Sequence, residues 1–307
     1  MKTRQIGNSD LIVSELGLGC MSLGKEEKQA SEIIHKATDS GINYLDTADL
    51  YDFGVNEEFV GRAIKSKRKD IILATKVGNR WNTSKKGWSW DPSKDYIKSV
   101  VKDSLLRLQT DYIDLYQLHG GTIEDNIDET IEAFEDLKKE GLIRYYGISS
   151  IRPNVIKEYI ERSSIVSVMM QYSLLDRRPE EVFPLLKEHN ISVVCRGPVA
   201  KGLLTDKPLE STNSKIKENG YLDYSYEELA SLRQSLKEEL ASERSLTEIA
   251  LQYCLYDSVV ASVVAGASKI EQLVDNVEAV SSTPLTDNQV RILRELSKAS
   301  LYEQHRM

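Results

Sequence analysis

The chain has 307 residues, 40% hydrophobic and 29% charged, with a formal net charge of −8. This length suits one large α/β barrel or two ordinary domains, and the acidic balance argues against nucleic-acid and anionic-membrane partners, which require a basic face. No apolar run approaches the ~20 residues of a membrane span, no secretory signal follows Met1–Gln5, and Cys20, Cys195 and Cys254 are too scattered for a disulfide framework or zinc site, so a cytoplasmic, metal-free protein is expected.

Thr3–Ile6 and Leu11–Val13 flank the turn residues Gly7–Asp10 and predict a hairpin, with a strand over Ser14–Leu18 ending at Gly19. From there strand and helix alternate. Lys28–Ser40 carries Ala30, Ile33, Ile34 and Ala37 on one helical face and stops at Gly41, a left-handed cap position. A strand over Ile42–Leu45 precedes a helix over Glu57–Lys67, and a strand over Ile71–Thr75 precedes a long loop and a helix starting near Ser93. Tyr112–Leu118 is a nearly continuous apolar strand, followed by a helix through Ile127, Ile131, Phe134 and Leu137 that ends at Gly141. Tyr145–Ile148, Val166–Met170 and Ile191–Val194 are further strands, separated by helices near Arg152–Arg162 and Glu180–His189. Asp206–Tyr226 is polar and without period, which predicts a long loop. Helices over Glu227–Leu240 and Thr247–Tyr256, a strand over Val259–Val264 and a helix over Lys269–Val280 complete the series.

Eight strands follow the hairpin, each succeeded by helical sequence, with no linker or change of composition. Alternation of this kind implies a parallel sheet, and short strands lacking polar alternation imply burial on both faces. Eight such units predict an α/β fold of the (β/α)8 TIM-barrel type, one domain over residues 1–307.

A barrel presents its reactive groups at the C-terminal ends of its strands. Asp46, Lys76 and His119 fall at the ends of the second, third and fourth strands, and Tyr51 lies five residues beyond the carboxylate. A phenol alone is too weak an acid to protonate a carbonyl oxygen efficiently near neutrality. A buried ammonium beside it favours the ionised form, and a carboxylate keeps that ammonium charged and in place. A histidine in the same group can orient the carbonyl, so the four residues suit carbonyl reduction.

Further motifs accompany this set. Asp46-Thr47-Ala48 with Tyr51, Asn56-Glu57-Glu58, Gly61-Arg62-Ala63, Ala74-Thr75-Lys76, Asp111–Leu115 with His119, Gly147-Ile148-Ser149, Gln171-Tyr172, and Gly266-Ala267-Ser268 with Glu271-Gln272-Leu273 and Asn276 resemble the signature of the aldo-keto reductases. The resemblance runs in order from about Gly17 to Val280. It implies a barrel capped by an N-terminal hairpin, a nicotinamide cofactor and hydride transfer to an aldehyde or ketone, a small-molecule carbonyl. NADP(H) is favoured over NAD(H). By position, Tyr51 would be the general acid, Asp46 and Lys76 would tune it, and His119 would orient the carbonyl. The resemblance also assigns Gly19, Cys20 and Met21 to the nicotinamide ribose, and Ser149, Ser150 and Gln171 to the carboxamide. Arg196, Gly197 and Pro198 through Ala200, Lys201, Gly202, Leu203 and Leu204 would wrap the pyrophosphate. Gly266, Ser268, Lys269, Gln272 and Asn276 would take the adenosine phosphate at a helix N-terminus. Two positions depart from many relatives: Arg196 replaces an aromatic residue and Ser150 replaces an asparagine.

Trp81, Trp88 and Trp90 all fall in the loop after the third strand, and at least one is expected to form an aromatic wall over the substrate; Trp81 and Trp88 join Met21, Tyr51 and His119 as candidate pocket residues. Two other readings compete. One is a cofactor-binding sensor on the same barrel with little turnover. The other is a Schiff-base enzyme using Lys76 as nucleophile.

Overall fold

The computed structural model of the chain describes residues 1–82, 84–240 and 244–306. It opens with β1 (Thr3–Gln5) and β2 (Ile12–Ser14), an antiparallel hairpin, followed by β3 (Leu16–Gly19) and α1 (Glu27–Asp39). Next come β4 (Tyr44–Asp46), α2 (Val55–Ile64), β5 (Ile72–Val77), β6 (Asn79–Trp81), β7 (Trp88–Trp90) and α3 (Lys94–Leu108). The middle of the chain forms β8 (Ile113–Leu118), α4 (Ile127–Lys139), β9 (Ile143–Ser149), α5 (Pro153–Arg162), β10 (Ser167–Gln171), α6 (Phe183–Glu188) and β11 (Ser192–Arg196). The last elements are α7 (Ser214–Asn219), α8 (Tyr226–Leu240), α9 (Leu246–Tyr256), β12 (Val260–Gly266), α10 (Ile270–Ser281) and α11 (Asp287–Leu296).

Strands β3, β4, β5, β8, β9, β10, β11 and β12 close into a parallel barrel in chain order, as the alternation predicts. Both faces of these strands are buried. Inside, Tyr44, Ala74, Leu115, Met169, Val194 and Ala261 form one cluster, and Ile6, Leu11 and Val13 of the hairpin plug it from the lower end. Outside, the helices cover the strands with a second and larger apolar layer. A closed barrel has no open edge, so the register of each strand is set by its neighbours. That register brings Gly19 beside Asp46, Asp46 beside Ala74, Lys76 beside Gln117 and Gln171 beside Arg196 at the upper rim.

Five segments differ from the expectation. The loop after β5 contains the β6–β7 hairpin, in which Trp81 pairs with Trp88. The helix expected over Glu57–Lys67 ends at Ile64 and tightens into a 3-10 turn over Lys65–Asp70. The helix expected from Glu180 starts at Phe183, after a separate 3-10 turn over Arg178–Glu181, in a stretch where Pro179 and Pro184 each lack an N–H. The Asp206–Tyr226 stretch holds α7, started by the Asn213 side chain accepting from the Ile216 N–H. Helix α11 was not expected; it opens with a capping box between Thr286 and Gln289.

Candidate active site

Strand β5 carries Lys76 into the upper rim with its side chain only 1% exposed. An ammonium has three protons to donate, and three acceptors surround it: the Asp46 carboxylate at 2.5 Å, the Thr47 carbonyl at 2.7 Å and the Tyr51 hydroxyl at 3.3 Å. The second Asp46 oxygen accepts from Gln117 Nε2 at 3.3 Å, which orients the carboxylate. Burial alone would drive the ammonium to lose its proton, but Asp46 and Tyr51 outweigh it and hold the Lys76 pKa above the ordinary lysine range. The geometry leaves the phenol oxygen accepting from Lys76 with its own proton free.

Tyr51 sits at the start of a tight 3-10 turn, Tyr51–Gly54. Asp52 and Phe53 both adopt left-handed backbone, with φ of 47° and 54°, a conformation side chains rarely take. Two contacts brace the turn: the Phe53 ring meets Trp81 edge-on at 6.0 Å, and Arg107 packs against Gly54 so closely that a Cβ there would lie 2.8 Å from its Cδ. The Tyr51 ring also meets the His119 ring edge-on at 5.9 Å.

His119 follows the last residue of β8 and is held by its backbone N–H donating to the Val77 carbonyl at 2.7 Å. Its Nδ1 is buried with no partner. Burial first, then the cations Lys76 and Arg196, push its pKa down to about 3, so the imidazole is neutral throughout the ordinary pH range. It can polarise or orient a carbonyl without bringing a charge of its own. Burial likewise pushes the Cys20 thiol well up, which leaves it a poor nucleophile.

Two cavities open from this rim. One, about 950 Å³, runs from Tyr51, Asp46 and Gly19 past Arg196, Gly197, Pro198 and Gly202 to Gly266, Ser268, Gln272 and Asn276. Met21 and Gln171 line it as well. The other, about 940 Å³, is bounded by His119, Trp88, Trp90, Ser149, Ser150 and the C-terminal stretch Ser300–His305. Arg196 borders both; its Nη1 donates to Gln171 Oε1 at 3.1 Å, and it makes no ion pair among the described residues.

The first cavity fits a nucleotide cofactor. Gly197 and Gly202 have φ of +67° and +88°, and a Cβ on Gly266 would collide with the Ser22 hydroxyl at 2.3 Å, so the backbone itself forms much of the wall. Arg196, Lys201 and Lys207 bring positive charge to a lining that also holds Asp206, Glu248, Asp275 and Glu278. The Ser268 N–H and hydroxyl stand at the N-terminus of α10 and both donate to the Gln272 amide oxygen, at 2.9 and 3.0 Å. Donors of this kind suit phosphate.

Several expected residues lie elsewhere. Cys20, Ala200 and Leu203 are buried in the core and line neither cavity. Lys269 is the N-cap residue of α10 without lining the cleft. Ser149 and Ser150 face the second cavity, not the first, and the Ser150 hydroxyl accepts from the Arg152 N–H. Trp81 packs on Phe53 and borders neither cavity, whereas Trp90, its indole N–H held by Asp125 at 2.9 Å, borders the second. Cavity residues not anticipated include Thr205, Asp275 and Arg178, together with the C-terminal stretch. Asp275 could have been found from its position beside Asn276 on α10; the C-terminal stretch carries no periodic signal.

The sequence profile of the Aldo/keto reductase family matches residues 15–298. The chain is 63% identical to the uncharacterized oxidoreductase YqkF of Bacillus subtilis over all of both chains, and 29% identical to the NADH-specific methylglyoxal reductase of Escherichia coli over 97% of this chain and 99% of that one. Among solved structures, the holo form of aldo-keto reductase AKR11C1 from Bacillus halodurans superposes with a TM-score of 0.95 at 64% identity, covering both chains completely. Barrel, profile and full-length relatives agree: the chain belongs to the aldo/keto reductases, oxidoreductases that act on carbonyl compounds with a nicotinamide cofactor.

Proposed function

We propose that the protein reduces aldehydes and ketones to alcohols with NADPH, and that Tyr51 is the general acid. The observation that carries this reading is the Lys76 ammonium, bound at once to Asp46 and to the Tyr51 hydroxyl at the mouth of the nucleotide-sized cleft. When bound, the reduced dinucleotide supplies the hydride. The chain's own residues do the rest. The substrate oxygen lies between Tyr51 and His119; Tyr51 gives its proton to that oxygen as negative charge builds there, and the phenolate left behind faces an ammonium already in contact. His119, neutral, orients the carbonyl without competing for the proton. Lys76 has its three donors engaged in a buried ion pair, which argues against its acting as a Schiff-base nucleophile.

NADPH is preferred over NADH in this reading. The paired Ser268 donors at the far end of the cleft, occupied by an amide oxygen of the chain itself, suit an extra phosphate. The test is the loss of NADPH and of NADH absorbance with 4-nitrobenzaldehyde, in wild type and in Tyr51→Phe. Fast turnover that Tyr51→Phe abolishes supports the assignment. A variant as fast as wild type removes Tyr51 from the role, and tight NADPH binding with negligible turnover across many carbonyls favours a sensor instead.

A further inference from the structure

Helix α8 turns its apolar face, Leu229, Leu232 and Leu236, into the protein, and Arg233 lies on that face only 7% exposed. Arginine is almost never so buried unless paired, yet Arg233 makes no ion pair among the described residues. Its guanidinium instead donates to three backbone carbonyls within five residues: Nη1 to Leu203 and, at 3.0 Å, to Thr205, and Nη2 to Lys207 at 2.6 Å. A planar guanidinium with donors in a fixed fork is suited to holding several carbonyls in one arrangement.

The segment so held is irregular, and it borders the cofactor cleft. Thr205, Asp206 and Lys207 all line that cleft, with Lys207 adding to its positive charge. At its start the segment is tied by the Leu203 and Leu204 N–H groups, which donate to the Ala200 and Val199 carbonyls at 3.1 and 3.2 Å. Further along, Thr205 donates to the Gly202 carbonyl at 2.8 Å and Asp206 accepts from the Leu246 N–H at 3.2 Å. Turning three carbonyls inward toward Arg233 leaves Thr205, Asp206 and Lys207 lining the ligand space, while Leu203 and Leu204 stay buried in the core. Burying a cation with no carboxylate in contact is costly, and Asp206 and Glu210 offset that cost only from a distance, so an apolar residue at this helix position would serve the core better. The cost is accounted for if the shape of the segment matters.

We propose that Arg233 is a positioning residue for the cofactor, acting through the Leu203–Lys207 segment and touching neither cofactor nor substrate. The proposal rests on the first cavity being the nucleotide site, and the experiment separates the two. NADPH affinity is measured by quenching of protein fluorescence in wild type, R233Q and R233K, below the unfolding temperature of each, together with steady-state kinetics at saturating cofactor. The expected result is a Kd for NADPH raised about tenfold in R233Q, because the binding wall is no longer preorganised, with kcat at saturation within about twofold of wild type. R233K, which keeps the charge and three donors but not the fork, should fall between. It also stands in if R233Q does not fold. A Kd unchanged in both variants while thermal stability falls makes Arg233 merely structural and overturns the proposal. So does a fall in kcat with Kd unaltered. If wild type binds neither NADPH nor NADH, it is the assignment of the cleft that fails.

Discussion

The two ends of the barrel treat charge in opposite ways. At the lower end, the carboxylate of Asp114 accepts from Arg68 at 2.8 Å, from Arg144 at 2.7 Å and from the Leu73 N–H at 3.0 Å. Arg68 also lies over the Tyr112 ring, 4.2 Å away. Arg4 completes the pattern, pairing with Glu15 at 2.8 Å while donating to the carbonyls of Leu255 and Val260. At the upper end, polar groups are left short of partners: both Asp49 oxygens and His119 Nδ1 are buried and unbonded, and Arg196 has no carboxylate among the described residues. The Lys76–Asp46 pair is fully engaged there, as is Asp176 with Arg178, and it is the Lys76–Asp46 pair that holds the Tyr51 hydroxyl. Paired charges lock the closed end of the barrel; the unpaired groups at the open one leave capacity for a ligand. This division is the one expected of a barrel whose lower face serves stability and whose upper face serves chemistry.

Substitutions at the two ends should therefore separate activity from stability. Tyr51→Phe removes the hydroxyl, and with it the proton to be transferred and one acceptor of Lys76. For an aldehyde, kcat/KM should therefore fall by about 10²–10⁴, with the thermal unfolding curve moved little because Asp46 and Thr47 still hold the ammonium. Asp114→Asn should do the reverse. It strips the charge from a carboxylate only 2% exposed, leaving Arg68 without a carboxylate and Arg144 with Asp10 alone, so denaturant unfolding should show a loss on the order of 3 kcal/mol while kcat at saturating substrate stays within about twofold. A large loss of activity from Asp114→Asn at a temperature where it is fully folded would contradict the division of labour.

His119 links the two properties through pH. In the folded chain it stays neutral down to about pH 3, because burial and nearby cations oppose its protonation. The unfolded chain takes up that proton near the ordinary histidine value of ~6.5. Between these values the unfolded state binds more protons, so stability falls as pH drops below ~6.5, by about 2 kcal/mol on reaching pH 5. His119→Asn should flatten this part of the profile. Equal slopes for variant and wild type between pH 6.5 and 5 would show that the imidazole does not stay neutral in the native protein.

Much of this plan was legible in the sequence, for a physical reason. Barrel strands are buried on both faces, so Ile113–Leu118 and Val260–Gly266 stand out as short apolar runs, and the residues at their ends are automatically at a rim. Asp46, Lys76 and His119 could be located by counting strands alone. What escaped detection depends on contacts distant in sequence. The β6–β7 hairpin forms over a space that Gly78 and Gly120 leave for the Trp90 ring, where a Cβ would lie 2.7 and 3.1 Å from it. Nothing local distinguishes Trp90, which borders a cavity, from Trp81, which braces the Tyr51 turn. The C-terminal stretch is similar: Tyr302 is buried beneath the Arg178 guanidinium, 5.0 Å above its ring, and Arg178 is itself held by Asp176. Helix α11 is a different case, since Thr286 and Gln289 spell a capping box that could have been read.

Arg196 offers the finest test of the contrast between the ends. It lines the cleft together with Tyr51 and Asp46, and its charge is felt at His119. On the proposed reading the nicotinamide must come close to the carbonyl that Tyr51 protonates, so it lies within the field of this cation. The oxidised ring is positively charged and the reduced ring is neutral. An uncompensated guanidinium therefore disfavours NADP⁺ relative to NADPH, which would speed product release. Replacing it by Arg196→Gln should narrow the ratio of Kd for NADP⁺ to Kd for NADPH by about fivefold, roughly 1 kcal/mol, whereas Arg196→Lys should leave the ratio close to wild type. The ratio is the informative quantity, because an interaction that both forms make equally cancels from it. If Arg196→Gln weakens both forms equally, the guanidinium acts by direct packing and hydrogen bonding alone, and the missing counter-ion at the upper rim has no electrostatic purpose.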